Sequence, residues 1–362
     1  MNRRTVVETL ALAPALSGQQ KKISVAVITQ ANGPHLSSYA EGLAQSAEVE
    51  SVAVCDPQGA TQEELKKILG AKFLASFRSS RELFTAFKPQ LAFVVLEAAL
   101  APRAISEAFD AGCHVMAEKP ACVRPEDFAS LVKRAKSQDR LLMLALANRV
   151  DPVMREARRL LQSGAIGRIY GMEMHTIADQ TRLKNPAYHH SWLAKRARSG
   201  GGHLLWLGIH WLDLAIFLTG SKITQVTGFT ANVGGQPIEV EDSAALALRF
   251  ASGTFGTLTS GYYLDRGKHL FFKFWGSHGW LEIRHHRAEN PLEWYSTKQD
   301  KPQTHHFQPL SSGGYVPWVK HVVRAAAGLE APALTAEESL HVLEVIFAAY
   351  RAAESGRAQV VL

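Results

Sequence analysis

Lys119 and the polar stripe His203, His210 and Asp213 are the residues whose type and setting could do chemistry. Lys119 lies in "AEKP", residues 117 to 120, directly after a short apolar run, and Pro120 holds the chain behind it. An ammonium placed there can donate to a substrate hydroxyl and favour the alkoxide that releases hydride. His210 lies in "SGGGHLLWLGIHWLDLAIFLTG", residues 199 to 220. On an ideal helix of about 100° per residue, His203, Trp206, His210 and Asp213 fall within roughly 80° of one another. The rest of that helix is apolar nearly all round, so it should be buried. A buried polar stripe either bonds internally or lines a cavity. Imidazole there can exchange a proton with substrate, with Asp213 spaced to orient His210 and His203 as a second titrating group.

A dinucleotide would need a strand, a tight turn and a helix N-terminus facing its pyrophosphate. The turn here is "ITQANGPH": Thr29, Ala31 and Asn32 stand where glycines are usual, and only Gly33 remains. Asp56 ends the second strand, where a carboxylate can accept from the ribose hydroxyls. No Arg or Lys follows it directly to hold a 2′-phosphate, so NAD is expected and NADP less so. Asn148 and Arg149 end the last strand of this half, within reach of nicotinamide or substrate, or of a salt bridge at the domain boundary. Tyr188 and His189 lie in the basic stretch "RLKNPAYHHSWLAKRAR", residues 182 to 198, and are candidates for substrate contact. Glu173 and His175 share a strand face and could join His203 and His210 around zinc or manganese. No short ligand spacing supports this, and no metal is expected.

The elements that must carry these residues alternate up to about residue 150. Apolar β-branched runs such as "KKISVAVIT", "VESVAVCDP" and "QLAFVVLEA" are separated by helical stretches such as "TQEELKKILG", with Thr61 as cap. This predicts a Rossmann-type parallel sheet over residues 21–150. Beyond it, hairpin-like strands and long helices predict an α+β domain over residues 151–362 with one open antiparallel sheet. The fold class is therefore α/β with two domains. Formal net charge is +7, hydrophobic content 46% and charged content 20%, which excludes a disordered chain. No basic helix face interleaved with aromatics marks a nucleic-acid binder, and no run reads as a membrane span. The odd set of three cysteines argues against a disulfide framework. Residues 1–20 resemble a twin-arginine export signal through Arg3 and Arg4, so the protein is expected in the cytoplasm or the periplasm.

Five stretches in this order, "VESVAVCDP", "AFDAGCHVMAEKP", "LLQSGAIGRIYGMEMH", "SGGGHLLWLGIHWLDLAIFLTG" and "TAEESLHVLEVIFAAYRAAESGRAQVVL", resemble the glucose–fructose oxidoreductase and inositol dehydrogenase family (Gfo/Idh/MocA). The resemblance covers nearly the whole chain after residue 21. It implies a nicotinamide cofactor in the cleft between the domains and a sugar, cyclitol or polyol substrate. Lys119 then looks like the active-site lysine and His210 like the acid/base histidine, with Glu118 and Pro120 as cofactor-side neighbours. It also implies a homo-oligomer paired through the C-terminal sheet. Three departures stand out. The glycine fingerprint is degraded, "VVLEAAL" replaces a Thr-Pro stretch near the nicotinamide, and Trp206 stands where relatives commonly have Asp. Trp206 could instead offer an apolar platform to a sugar. The implied activity is NAD-dependent hydride transfer. The alternatives are glycoside cleavage through transient oxidation and a non-catalytic sugar-binding relative.

Overall fold

The computed structural model describes residues 21–284, 289–298, 303–309, 311 and 313–361. The export-signal reading of residues 1–20 lies outside them. The first sheet is built from β1 (Ile23–Thr29), β2 (Val49–Cys55), β3 (Phe73–Phe77), β4 (Leu91–Val95), β5 (His114–Ala117) and β6 (Leu142–Leu144). All are parallel, in the order β3-β2-β1-β4-β5-β6. Strands buried on both faces read as unbroken apolar runs, and β4 is buried at every position. The order reverses between β1 and β4, so the crevice at their carboxyl ends is the place for a ligand.

The second sheet has nine strands, β7 (Ile169–Asp179), β8 (Ile223–Ala231), β9 (Ser243–Phe250), β10 (Phe255–Leu264), β11 (Lys268–Gly276), β12 (Gly279–Arg284), β13 (Leu292–Ser296), β14 (Gln303–Phe307) and β15 (Gln359–Val360). Its pairings are antiparallel except β7 with β10, which run parallel. That one exception follows from the long crossover between β7 and β10, which carries the 199–220 helix and packs it under the sheet. This helical region, Arg196–Thr219, is apolar and long enough to cross a bilayer, contrary to the sequence reading, yet 94% of its window is buried inside the molecule.

Two later helices tie the halves together. Tyr315–Ala326 packs on the helix Leu36–Gln45, where Gly42 leaves room for Val319: a β-carbon there would come within 2.5 Å of Val319 Cβ. Ala336–Ser355 starts with a capping box between Thr335 and Glu338 and packs on β8. Cys55, Cys113 and Cys122 are free and buried; burial pushes the Cys55 thiol up to about 11 and Cys113 to about 12. They pack as small apolar groups.

Candidate active site

Three glycines open the helix that carries the stripe, and each meets a different constraint. Gly200 has φ +81°. A β-carbon on Gly201 would run into the Tyr350 hydroxyl, and one on Gly202 into the Glu241 carbonyl oxygen. Glu241 also caps the helix start: its carboxylate accepts from the N–H groups of Gly202 (2.8 Å) and Leu204 (3.0 Å) and from the Tyr350 hydroxyl (2.8 Å). This satisfies backbone donors that would otherwise be buried without partners.

The helix is not uniform. Leu204–Gly208 forms a π-helical turn and Ile209–Thr219 continues as α-helix. A wider turn rotates the residues before it relative to those after it, so the ideal single stripe is split. His203 faces β10, where its Nδ1 lies 2.7 Å from Ser260 Oγ and its ring meets Tyr262 edge-on at 4.4 Å. Asp213 turns away from His210 to Arg149, which donates to it through Nε (3.0 Å) and Nη2 (2.7 Å). Arg149 also reaches Glu338 at 2.8 Å and is 1% exposed. This corrects two expectations together. Asp213 does not orient His210, and Arg149 is a buried clamp between the halves rather than a substrate contact.

Lys119 follows the end of β5, directly before a cis Lys119–Pro120 bond, and is 3% exposed. Its Nζ donates to the Trp206 carbonyl at 2.7 Å and sits 4.5 Å from the centre of the Trp206 ring. Trp206 is one turn before the half-buried His210, so the ammonium reaches the helix beside that imidazole's turn. Trp192 meets Trp206 edge-on at 4.9 Å. Trp206 is thus a wall for the lysine, 5% exposed, rather than an open platform. Burial pulls the Lys119 pKa down to about 8, against the opposing pull of Glu118. Burial, helped by Arg182, lowers His203 to about 3, so this imidazole is neutral.

Glu118 is buried beneath the β1 turn. Its Oε2 accepts from the Tyr39 hydroxyl and lies 3.0 Å from His35 Nδ1, while Oε1 is 3.8 Å from Lys119 Nζ. Glu118 Oε1, His203 Nε2 and Trp206 Nε1 are buried without a hydrogen-bond partner among the described residues. Native interiors rarely leave such atoms orphaned unless a water or ligand serves them. Two of the three belong to Glu118 and Trp206, the residues in contact with Lys119, and a polar ligand beside that ammonium could serve them.

The dinucleotide end also fits its group. Thr29 is buried and its Oγ1 donates to the Val95 carbonyl (3.3 Å), filling the room a glycine would leave. Gly33 packs beneath it, since a β-carbon would come within 2.8 Å of Thr29 Oγ1. Asn32 takes φ +59° in the turn. The Leu36–Gln45 helix has no side-chain cap among the described residues, leaving first-turn N–H groups for an anion. Asp56 ends β2; burial alone would raise its pKa, but hydrogen bonds from Thr61 and Gln58 hold it below the usual range. Thr61, expected as a helix cap, gives its hydroxyl to Asp56 instead (2.8 Å). Glu97, in the departed "VVLEAAL" stretch, pairs with Arg198 and so links the β4 end to the second domain.

Of the basic stretch, Tyr188 is half-buried beside Tyr262, and Arg182 donates to the Tyr262 hydroxyl at 3.4 Å. His189 is spent on the Leu183 carbonyl at 2.6 Å. Glu173 and His175 pair with each other at 2.7 Å. They point to the open face of the sheet, opposite Thr176 and the buried Ser260 that holds His203. The metal grouping considered from sequence is therefore not assembled. Sequence reasoning missed Ser260, Tyr262, Glu241, Arg182, Trp192 and His35. Only strand pairing and helix packing bring them in, and no local motif announces them.

Comparison with known proteins agrees with this fold. Residues 20–146 match the family model "Oxidoreductase family, NAD-binding Rossmann fold", and residues 154–282 match "GFO/IDH/MocA C-terminal domain". Levoglucosan dehydrogenase of Pseudarthrobacter phenanthrenivorans is 24% identical over 204 residues, 50% of this chain and 52% of that one. D-glucoside 3-dehydrogenase of Escherichia coli is 27% identical over 173 residues, 48% and 47% respectively. The matches thus span about half the length of these curated relatives. Among solved structures, a levoglucosan dehydrogenase complex with NADH and levoglucosan superposes with a TM-score of 0.81 at 18% identity, covering 93% of this chain and 99% of that one. Myo-inositol 2-dehydrogenase from Lactobacillus plantarum gives 0.78 at 22%, covering 94% and 100%. At these identities the structures share the fold.

Proposed function

The chain belongs to the GFO/IDH/MocA family of oxidoreductases with an NAD-binding Rossmann domain, and from that premise we propose that it oxidises a secondary hydroxyl of a sugar, cyclitol or polyol derivative. The observation that carries the proposal is Lys119. It is a buried ammonium with one of three donors used by the Trp206 carbonyl, close to the unpartnered Glu118 Oε1 and held on the helix that also carries His210. Nicotinamide, when bound in the β1–β4 crevice, supplies the hydride acceptor. Lys119 donates to the substrate oxygen and stabilises the alkoxide as it forms. His210 takes the hydroxyl proton, and Trp206 with Trp192 keeps water from the ammonium. Neutral His203, held by Ser260, offers Nε2 to a further substrate hydroxyl. The names of the curated relatives, levoglucosan dehydrogenase and D-glucoside 3-dehydrogenase, support a pyranose-like substrate.

The second sheet supports a further reading, self-association. Its open face exposes Phe229 (78%), Phe255 (58%) and Trp275 (43%) around small residues such as Ala245 and Ala247. A patch of this kind marks an interaction surface.

The test is cofactor stoichiometry with a panel of free sugars, polyols and glycosides. One reduced nicotinamide per product is the expected result. Product release with only catalytic NAD would instead assign glycoside cleavage through transient oxidation, and no NAD binding would assign a non-catalytic binding protein.

A further inference from the structure

The register of β2 and β3 sets Cys55 opposite Phe77. The next residues, Asp56 and Arg78, therefore leave the sheet side by side, and the Asp56 N–H donates to the Phe77 carbonyl at 3.1 Å. Both stand at the carboxyl end of β2, where the adenosine ribose of a dinucleotide belongs.

The two side chains are in opposite states. Asp56 is 0% exposed. Its Oδ1 accepts from the Gln58 N–H at 3.0 Å, and its Oδ2 from the Thr61 N–H and hydroxyl, both at 2.8 Å. A carboxylate offers about four acceptor positions. Three are taken by its own loop, which leaves capacity for one ribose hydroxyl instead of the pair. The donated hydrogens also blunt its charge towards a neighbouring anion.

Arg78 is exposed, and its guanidinium lies over the loop that follows Asp56. Nη1 donates to the Pro57 carbonyl at 3.4 Å. Gly59, at φ +71°, is the seat, since a β-carbon there would run into the guanidinium. One of five donors is used, and no ion pair to Arg78 is made among the described residues. Glu82 is near, but its Oε2 accepts the backbone N–H of Arg78 at 3.3 Å. The fold has thus placed a planar cation with spare donors next to a ribose-binding carboxylate that is mostly occupied. An arginine fork is the group that matches a phosphate monoester.

We propose that Arg78 binds the 2′-phosphate of the adenosine ribose and that the protein accepts NADP as well as NAD. This rests on the nicotinamide reading above and goes beyond the expectation of NAD with NADP less favoured, which considered only residues following Asp56 in sequence. NAD is still taken, because Asp56 accepts one hydroxyl and the guanidinium lies where it can face the adenine ring.

The test is calorimetric titration of the full chain with 5′-AMP and 2′,5′-ADP, and with NAD and NADP. It uses wild type, Arg78→Ala and Arg78→Lys. Wild type should bind 2′,5′-ADP at least as tightly as 5′-AMP. Arg78→Ala should weaken 2′,5′-ADP and NADP by about tenfold or more, the loss of one charge-assisted contact, while 5′-AMP and NAD change little. Arg78→Lys should fall between. Equal weakening of both probes by Arg78→Ala, or a wild type that binds NAD but rejects 2′,5′-ADP, overturns the assignment and leaves the dehydrogenase reading standing. A wild type that binds no probe and neither dinucleotide overturns both.

Discussion

Lys119 is the residue whose chemistry is most constrained. Below its folded pKa of about 8 the ammonium is present, and the proposed stabilisation of an alkoxide requires it. Oxidation measured as kcat/KM should therefore fall as pH rises through about 8. In Lys119→Arg, which stays charged, that alkaline limb should vanish, even if the maximum rate drops. A limb that rises through the same window would make Lys119 the base instead. Stability carries the opposite signature. Burial lowers the lysine from 10.5, so between about 8 and 10.5 the unfolded chain holds more protons, and stability gained from this site grows with pH. Below that window the folded protein bears the full cost of the charge, on the order of 3 kcal/mol before its hydrogen bond and ring contact are counted. Lys119→Met should leave the melting temperature at pH 7 equal or higher, by calorimetry, while activity collapses. Lys119 and His210 were legible in the sequence, because an apolar strand and an apolar helix make any polar residue in them conspicuous. The partners were not. Spacing offered Asp213 to His210, but a buried aspartate goes to the strongest donor in reach, and Arg149 lies 64 residues away.

At the scale of elements, the Gly200–Gly202 run and Glu241 form one device. The glycines let the chain pass against Tyr350 and the Glu241 backbone, and the Glu241 carboxylate caps the helix it opens. Gly202→Ala should destabilise the protein by roughly 3 kcal/mol or more, since the obstructing atom is backbone and cannot swing aside. Denaturant unfolding would show it, and a wild-type midpoint would contradict the packing described. Strong periodic segments were readable: the last long helix, Ala336–Ser355, lies within the stretch the sequence marked, and the structure adds its Thr335 cap and Gly356 stop. β3 was missed. It is an edge strand of five residues with none fully buried, so it lacks the apolar run that marks its neighbours. The π-helical turn was also invisible, because periodicity assumes one constant pitch, and a single wide turn breaks the phase without changing composition.

At the scale of the molecule, the two halves meet through buried charge. Arg149 clamps Asp213 and Glu338, and Glu97 holds Arg198, so the cleft walls are fixed by pairs that sequence spacing cannot reveal. The alternation of strands and helices disclosed the parallel first sheet, and the hairpin-like runs the second. The parallel pairing of β7 with β10 emerged only from the way the crossover helix returns to the sheet. The open sheet face makes its own prediction. Phe229→Asp combined with Phe255→Asp should convert an assembled protein to monomers by light scattering, with folding unchanged, since both side chains are exposed in the single chain. An unchanged mass would remove the sheet as the contact surface.

The roles of Lys119 and His210 are tested most directly by the rate of substrate oxidation at saturating nicotinamide cofactor in wild type, Lys119→Met and His210→Ala, with cofactor affinity measured alongside. Both variants should bind cofactor within about threefold of wild type and oxidise substrate at least about a hundredfold more slowly. Wild-type rates in either variant would contradict the roles assigned to the buried ammonium and the His210 imidazole.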